Sequence, residues 1–133
     1  MEPHDYDWAA VRLVAHVHRG SFETVGVVLH ARRARYLGVR LCPAPAAAAA
    51  AGLDTGLVRR FFDAYRRVGE GDAAGPLGLL PPSERFHWLT APRSTALQAS
   101  PVHTGRAADL PRTLDDLFQS LVAVSLHSPP RSV

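Results

Sequence analysis

The run FETVGVVLH, residues 22–30, decides the fold class of this chain. It is rich in valine and lies between Arg19-Gly20 and Arg32-Arg33, which is the pattern of a buried strand between two turns. Before it, residues from Trp8 onward alternate in polarity, and after it the alternation resumes from Arg35 to Cys42. The three segments predict an antiparallel three-stranded meander.

Two amphipathic helices are predicted after the meander. Asp54 is a suitable N-cap for a run of apolar residues at helical spacing, and Gly69 is expected to end that helix. Asp109 and Pro111 open the second helix, whose apolar side is formed by Leu114, Leu117, Phe118 and Leu121. The Pro/Ala-rich residues 43–51 are interpreted as a linker or as the frayed start of a helix, because proline cannot continue a central strand.

The chain between these helices is expected to add a loop, a helical turn and a fourth strand. Residues 71–82 are rich in glycine and proline and predict the loop, after which Ser83-Glu84 caps the short helical turn. Ser94 to Ser100 alternates again and predicts a strand that ends at Pro101. This order predicts a two-layer α+β fold, in which the meander plus the later strand form an antiparallel sheet and two main helices pack mainly on one face.

The length of 133 residues fits a single domain. We expect that domain to span residues 8–124, between a mobile N-terminus at residues 1–7 and a mobile C-terminal tail at residues 125–133. Cys42 is the lone cysteine, which excludes an internal disulfide, and the opening residues do not resemble a secretion signal. No apolar run approaches the roughly 20 residues that span a bilayer, so a cytoplasmic protein is expected.

All 15 basic residues are arginine, which reflects coding bias at least as strongly as selection for binding. Two clusters stand out, at residues 32–35 and at residues 59–67, and either could present a basic stripe to phosphate. Neither is accompanied in the sequence by an aromatic platform or a glycine-rich phosphate loop. Nucleic-acid binding is therefore not the favoured function.

The histidines and the cysteine do not predict a metal site, a cofactor or a nucleophile. If Arg19-Gly20 is a two-residue turn, His16 faces Glu23 across the hairpin, while His30 lies opposite Ala9 and is too distant to share an ion. We therefore interpret His16 and Glu23 as a cross-strand pair. Cys42 closes an apolar strand, where an unpaired cysteine is usually an inert small hydrophobe.

The segment from Arg85 to Arg106 is the candidate binding surface. Its hydrogen-bond donors are interspersed with the apolar residues Phe86, Trp88 and Leu97. The guanidinium and hydroxyl groups suit a carboxylate or a phosphate. His103 is the candidate general acid or base. The alternative is that these polar groups satisfy the backbone of two irregular loops. The predicted binding residues are Arg93, Ser94, Thr95, Gln98, Ser100, His103, Thr104 and Arg106.

Two motifs in this chain resemble a bacterial family of small proteins catalogued as number 3037 in the domain-of-unknown-function series. Residues 19–29, RGSFETVGVVL, are similar to the family's RGEF-x-N-x-GVVL signature. Residues 88–95, WLTAPRST, continue through Gln98 and through residues 100–105, SPVHTG, in a second and more specific match. The chain departs from the first signature at Ser21, where the family has glutamate, and at Thr24, where it has asparagine.

The resemblance implies no activity, because members of the family are uncharacterised. It implies a partner: genes of the family lie beside that of a HipA-like kinase, which suits a small accessory subunit. Three hypotheses remain open: an accessory protein that presents residues 85–106 to a protein partner or small anionic ligand, a small enzyme with Arg93 as anion clamp and His103 as acid or base, and nucleic-acid binding through the arginine stripes.

Overall fold

The computed structural model describes residues 2–16, 21–72, 75–92, 96–122 and 126 of the chain. These residues form five strands and four α-helices, with one 3₁₀ turn at Pro76–Leu79. In chain order the elements are β1 (His4–His16), β2 (Ser21–Ala31), β3 (Tyr36–Leu41), α1 (Ala44–Ala51), α2 (Thr55–Glu70), α3 (Pro82–Thr90), β4 (Leu97–Ala99), β5 (His103–Ala107) and α4 (Leu110–Leu121).

The five strands form one antiparallel sheet in which β2 lies between β3 and β1. The other edge of β1 is shared by two short strands, because β4 pairs with Val11–Leu13 and β5 pairs with His4–Trp8. The α+β class and the antiparallel sheet, with its meander and later strand, are confirmed. None of the helices in the described ranges is long and apolar enough to cross a membrane.

Helices pack on both faces of β3, as the close approach of two glycines shows. A Cβ at Gly38 would meet the side chain of Leu114 in α4, whereas a Cβ at Gly69 of α2 would meet the side chain of Val39. Because neighbouring strand residues point to opposite faces, α2 and α4 lie on opposite sides of β3. Residues 25–31 of β2 are all buried, which explains the valine-rich run that predicted this strand.

The two long helices begin where the sequence predicts. The backbone N–H of Leu57 donates to Asp54 Oδ2 at 2.9 Å, and that of Arg112 donates to Asp109 Oδ1 at 3.1 Å, so both N-caps are confirmed. The end of α2 was predicted two residues early, because Gly69 is helical and Gly71, at φ 74°, is the left-handed cap. Residues 44–51 form a complete helix, α1, with three buried alanines.

The predicted register of the first hairpin is wrong by two residues from Asp7 to Val11, where His30 lies opposite Asp7 and not Ala9, and by three residues from Arg12 to Val14. Glu23 pairs with Leu13, and His16 pairs with Ser21, so the expected His16–Glu23 pair does not form. The physical reason is the length of the connection: four residues, 17–20, separate the paired His16 and Ser21, whereas a two-residue turn was assumed. The error changes size along the hairpin because the pairing is irregular between Val11 and Arg12 and between Val14 and His16, and a regular hairpin does not predict these irregularities.

The sheet begins earlier than the sequence indicates. His4–Asp7 was expected to be part of a mobile N-terminus, but these residues belong to β1 and pair with β5. The early start of β1 could not be predicted, because its partner strand β5 was not predicted. Pro101 was expected to end the last strand of the sheet. The single domain at residues 8–124 stays a prediction, and of the expected C-terminal tail the described residues include only the buried Leu126.

Candidate functional site

Five of the eight predicted binding residues lie along the β1 edge. Gln98 is in β4, Ser100 follows it, and His103, Thr104 and Arg106 are in β5. The other three, residues 93–95, lie outside the described residues. The segment from Arg85 to Arg106 therefore supplies the two strands that complete one side of the sheet.

Ser100 joins β4 to β5 through a break in the ladder. Its N–H donates to the Ala10 carbonyl at 2.9 Å, and its Oγ accepts from the Ala10 N–H at 2.8 Å. Pairing shifts by one residue between Val11–Ala99 and Trp8–His103, which is the register change of a β-bulge. The side chain is buried and its hydroxyl replaces a backbone acceptor, so Ser100 supports the sheet and is not accessible to a ligand.

His103 and Gly105 meet aromatic rings of β1. The imidazole of His103 stacks on the indole of Trp8, with ring centroids 4.6 Å apart, and the two residues are direct cross-strand partners. The Tyr6 ring lies against Gly105, where any Cβ would collide with it. Both signature residues thus pack β5 onto β1, and the ring of Tyr6 covers the glycine as aromatic side chains do at edge strands.

Arg85 holds the C-terminal end of α2. Its Nη1 donates to the carbonyls of Val68 at 3.0 Å and Gly69 at 2.8 Å, and its Nε donates to the Leu80 carbonyl at 2.9 Å. The Val68 carbonyl also accepts from the Gly71 N–H at 3.2 Å, so the cationic fork of Arg85 adds to the helix cap and meets the negative end of the helix dipole. Arg85, the first residue of the candidate binding segment, therefore has a structural role.

Gln98 faces Arg12, whose guanidinium lies over the ring of Phe22. The pairing register places Gln98 opposite Arg12, and the Arg12 Cζ is 4.3 Å from the centroid of the Phe22 ring. The Nε of Arg12 is buried and has no hydrogen-bond partner in the described part of the chain. This pair lies toward the far end of the β1 edge, away from Arg106.

Strand alternation separates His103 from Arg106. Residues 103 and 105 project to the face of Tyr6 and Trp8, whereas Thr104 and Arg106 project to the opposite face with Asp5 and Asp7. One ligand on one face of the sheet therefore cannot contact both side chains directly. The predicted pairing of His103 with Arg93 as acid or base and anion clamp stays a prediction, since Arg93 lies outside the described residues.

Arg106 meets a second group of arginines at the end of the sheet. Together with Arg32 and Arg33 it lines a cavity of about 450 Å³. We call these three residues the basic corner. The remaining lining residues belong to the start of β1 and the residues before it, namely Glu2, Pro3, His4 and Asp5.

The turn between β2 and β3 positions Arg32 and Arg33. It is closed by the Arg35 N–H, which donates to the Arg32 carbonyl at 3.2 Å, and Arg35 adopts a left-handed conformation with φ 52°. This conformation is uncommon for a residue with a Cβ, and it turns the chain into β3 immediately after the two arginines. The sequence marked the arginine cluster but gave no signal that β5 would bring Arg106 beside it.

The charges of the basic corner are incompletely neutralised. Arg106 Nε lies 3.7 Å from Asp5 Oδ1, but both side chains are mostly exposed, so the pair contributes little. Arg32 and Arg33 form no ion pair with any residue that the structure describes. Three guanidinium groups thus face two carboxylates, Glu2 and Asp5, around one solvent-accessible cavity.

Two buried titratable groups lie outside the lining of this cavity. His30 stacks on Phe86 with centroids 5.2 Å apart, and burial lowers its pKa despite the opposing field of Asp7. Cys42 is a free, buried thiol whose pKa is raised to about 11 by burial, as expected for an inert cysteine. Within the described ranges, no group of three or more His, Cys, Asp or Glu residues could hold a metal ion.

A family model matches most of this chain. The family model described as "Protein of unknown function (DUF3037)" matches residues 8–122. No curated protein and no solved structure matches the chain. All three arginines of the basic corner lie inside the matched region, whereas Glu2 and Asp5 lie before it.

Proposed function

We propose that this chain, which belongs to the DUF3037 family, is a small accessory binding protein that holds an anionic group at its basic corner. The observation that carries the proposal is the convergence of Arg32, Arg33 and Arg106 around one cavity. Arg106 is 73 residues further along the chain than Arg33, so the fold and not local sequence brings them together.

The chemistry of the three side chains favours an oxyanion. Each guanidinium is permanently charged and offers a planar set of donors that matches a carboxylate or a phosphate in a bidentate manner. The cavity is open to solvent and has room for a small anion or for an acidic side chain of a protein. A protein partner, which the family resemblance implies, would present the anion as an aspartate, a glutamate or a phosphorylated residue.

Besides the three arginines, the ionisable side chains that line the cavity are those of Glu2, His4 and Asp5. Its lining includes neither the hydroxyl of Ser100 nor the imidazole of His103 from the family signature. Ser100 is occupied by the Ala10 N–H, and His103 stacks on Trp8 on the other face of the sheet. These contacts support binding over catalysis as the role of this surface.

Calorimetric titration with pyrophosphate tests the proposal. Wild-type protein is compared with Arg33→Gln/Arg106→Gln and with a control of equal charge, Arg60→Gln/Arg112→Gln, whose residues are exposed on α2 and α4. Hydrogen bonds to charged groups are worth about 1.5–3 kcal/mol, so removing two arginines should raise the Kd at least about tenfold. The control should bind within about twofold of wild type.

Two results would contradict the proposed function. One is an absence of pyrophosphate binding by wild-type protein at low ionic strength. The other is equal weakening in both double variants, which would show that net charge alone attracts the anion.

A further inference from the structure

The outer edge of β5 is the open edge next to the basic corner. β5 pairs with β1 along one side, and three of its five residues, His103, Thr104 and Arg106, are exposed. The opposite edge of the sheet is different, because β3 has α2 on one face and α4 on the other and its six residues are all partly buried. An added strand would therefore find β5 more accessible than β3.

The hydrogen bonds of β1 identify which groups of β5 point outward. Ala10 exchanges hydrogen bonds with Ser100, so its N–H and C=O point toward the β4–β5 side. Alternation along β1 gives the same direction to Trp8, Tyr6 and His4, whose partners are His103, Gly105 and Ala107. The residues between these partners, Thr104 and Arg106, consequently direct their N–H and C=O groups away from the sheet.

No backbone partner occupies these outward groups within the described ranges. Two N–H donors and two C=O acceptors form a short template of the kind that pairs with an extended peptide. The side chains of Thr104 and Arg106 lie on one face of that template, the face that carries Asp5. A residue directly opposite Arg106 in an added strand would project to the same face and meet the guanidinium.

We propose that the outer edge of β5 accepts a strand from an acidic segment of a protein partner. The inference rests on the proposed function, since it names the source of the anionic group: a glutamate or aspartate of the added strand, held by Arg106 beside Arg32 and Arg33. Backbone pairing at Thr104 and Arg106 provides the affinity that is independent of sequence, and the basic corner selects an acidic partner over a basic one.

A peptide titration distinguishes strand addition from simple charge attraction. The probe is the acetylated and amidated heptapeptide Thr-Glu-Val-Glu-Val-Glu-Thr, compared with a version in which lysine replaces every glutamate. Two further versions carry N-methyl groups, one at the odd positions and one at the even positions. Because hydrogen-bonding residues alternate along an edge, a strand pairs through only one of the two sets.

We expect the acidic peptide to bind and the lysine peptide to bind at least tenfold more weakly. One N-methylated version should lose at least tenfold in affinity, while the other keeps an affinity within about threefold of the parent. On the protein, Thr104→Pro removes an outward N–H and should weaken peptide binding at least fivefold, whereas Thr104→Val keeps the N–H and should bind as wild type. Thermal unfolding shows whether both variants are folded.

Each remaining outcome overturns the inference. If both N-methylated peptides bind as tightly as the parent peptide, backbone pairing is excluded and charge attraction alone explains the binding. If the protein binds pyrophosphate but not the peptide, strand addition is wrong and the proposed function is retained. If it binds neither pyrophosphate nor the peptide, both the strand addition and the proposed function are wrong. A concentration-dependent dimer that Thr104→Pro dissociates, with no peptide binding, would assign the edge to a second copy of the chain.

Discussion

At the scale of single residues, the hydroxyl of Ser100 is the clearest case of a polar group with a structural task. It is 6% exposed and is the acceptor for the Ala10 N–H at the point where Pro101 interrupts the strand. A buried N–H group that loses its acceptor destabilises the folded state, because the free energy lost on its desolvation is no longer offset by a hydrogen bond. The sequence offered this interpretation as an alternative to ligand binding, and the contacts of Ser100 favour it.

Ser100→Ala should therefore destabilise the protein by about 1–3 kcal/mol. Urea unfolding of wild type, Ser100→Ala and the control Ser83→Ala measures the effect, since Ser83 is exposed. The control should lie within about 0.5 kcal/mol of wild type. An equally small effect at Ser100 would mean that water or a rearranged carbonyl replaces the hydroxyl.

Cys42 carries a prediction about pH. Its pKa is raised to about 11 from an ordinary value of 9.0, so at pH 8 the folded protein should contain about a hundredfold less thiolate than the unfolded chain. Between about pH 9 and pH 11 the thiol of the folded protein is protonated to a greater extent than that of the unfolded chain. The free energy of unfolding therefore falls as the pH rises through this range.

The measurement for Cys42 is the rate of reaction with a thiol reagent at pH 8, with and without urea. Slow reaction of the folded protein and fast reaction of the unfolded chain are expected. A folded protein that reacts as fast as the unfolded chain would contradict burial of the thiol.

At the scale of elements, local signals predicted the helices and long-range contacts decided the strands. Asp54 and Asp109 cap helices through their own neighbours three residues away, so these starts are readable from sequence. β5 was missed because Pro101 is a strong local stop, and the ladder resumes only through the bond between Ser100 and Ala10, 90 residues apart. The predicted register of the first hairpin was wrong because four residues, and not two, separate the paired His16 and Ser21, and because the pairing of the two strands is irregular.

Arg85 connects two elements and supplies the prediction at this scale. Arg85→Lys keeps the charge but cannot reproduce the fork that joins the carbonyls of Val68, Gly69 and Leu80. We expect a loss of about 1–3 kcal/mol in the free energy of unfolding. Arg59→Lys, at an exposed position of α2, is the matched control and should change stability by less than about 0.5 kcal/mol.

Hydrogen exchange gives a second readout for Arg85→Lys. The amides in the last turn of α2 should exchange faster than in wild type, because the end of the helix loses its clamp. Unchanged exchange there, together with unchanged stability, would show that the arginine does not hold α2 in place.

At the scale of the whole molecule, three residues of the family signature build the β1 edge, and Arg106, which directly follows the signature, reaches the basic corner. Ser100, His103 and Gly105 each contact β1, while Arg106 extends beyond it toward Arg32 and Arg33. The sequence could identify the signature segment and the arginine cluster at residues 32–35 separately. It could not join them, because their proximity depends on the strand β5 that no local pattern predicts.

We propose that the family signature supports the fold and that the basic corner binds the anion. The most direct test of this proposal is a map of amide chemical shifts as pyrophosphate is titrated into the isotope-labelled protein. We predict shifts concentrated at residues 32–33 and 104–107 and at the start of β1, with little change around Leu97–Ala99. Shifts centred on β4, or spread evenly over the arginines of α2 and α4, would contradict the account.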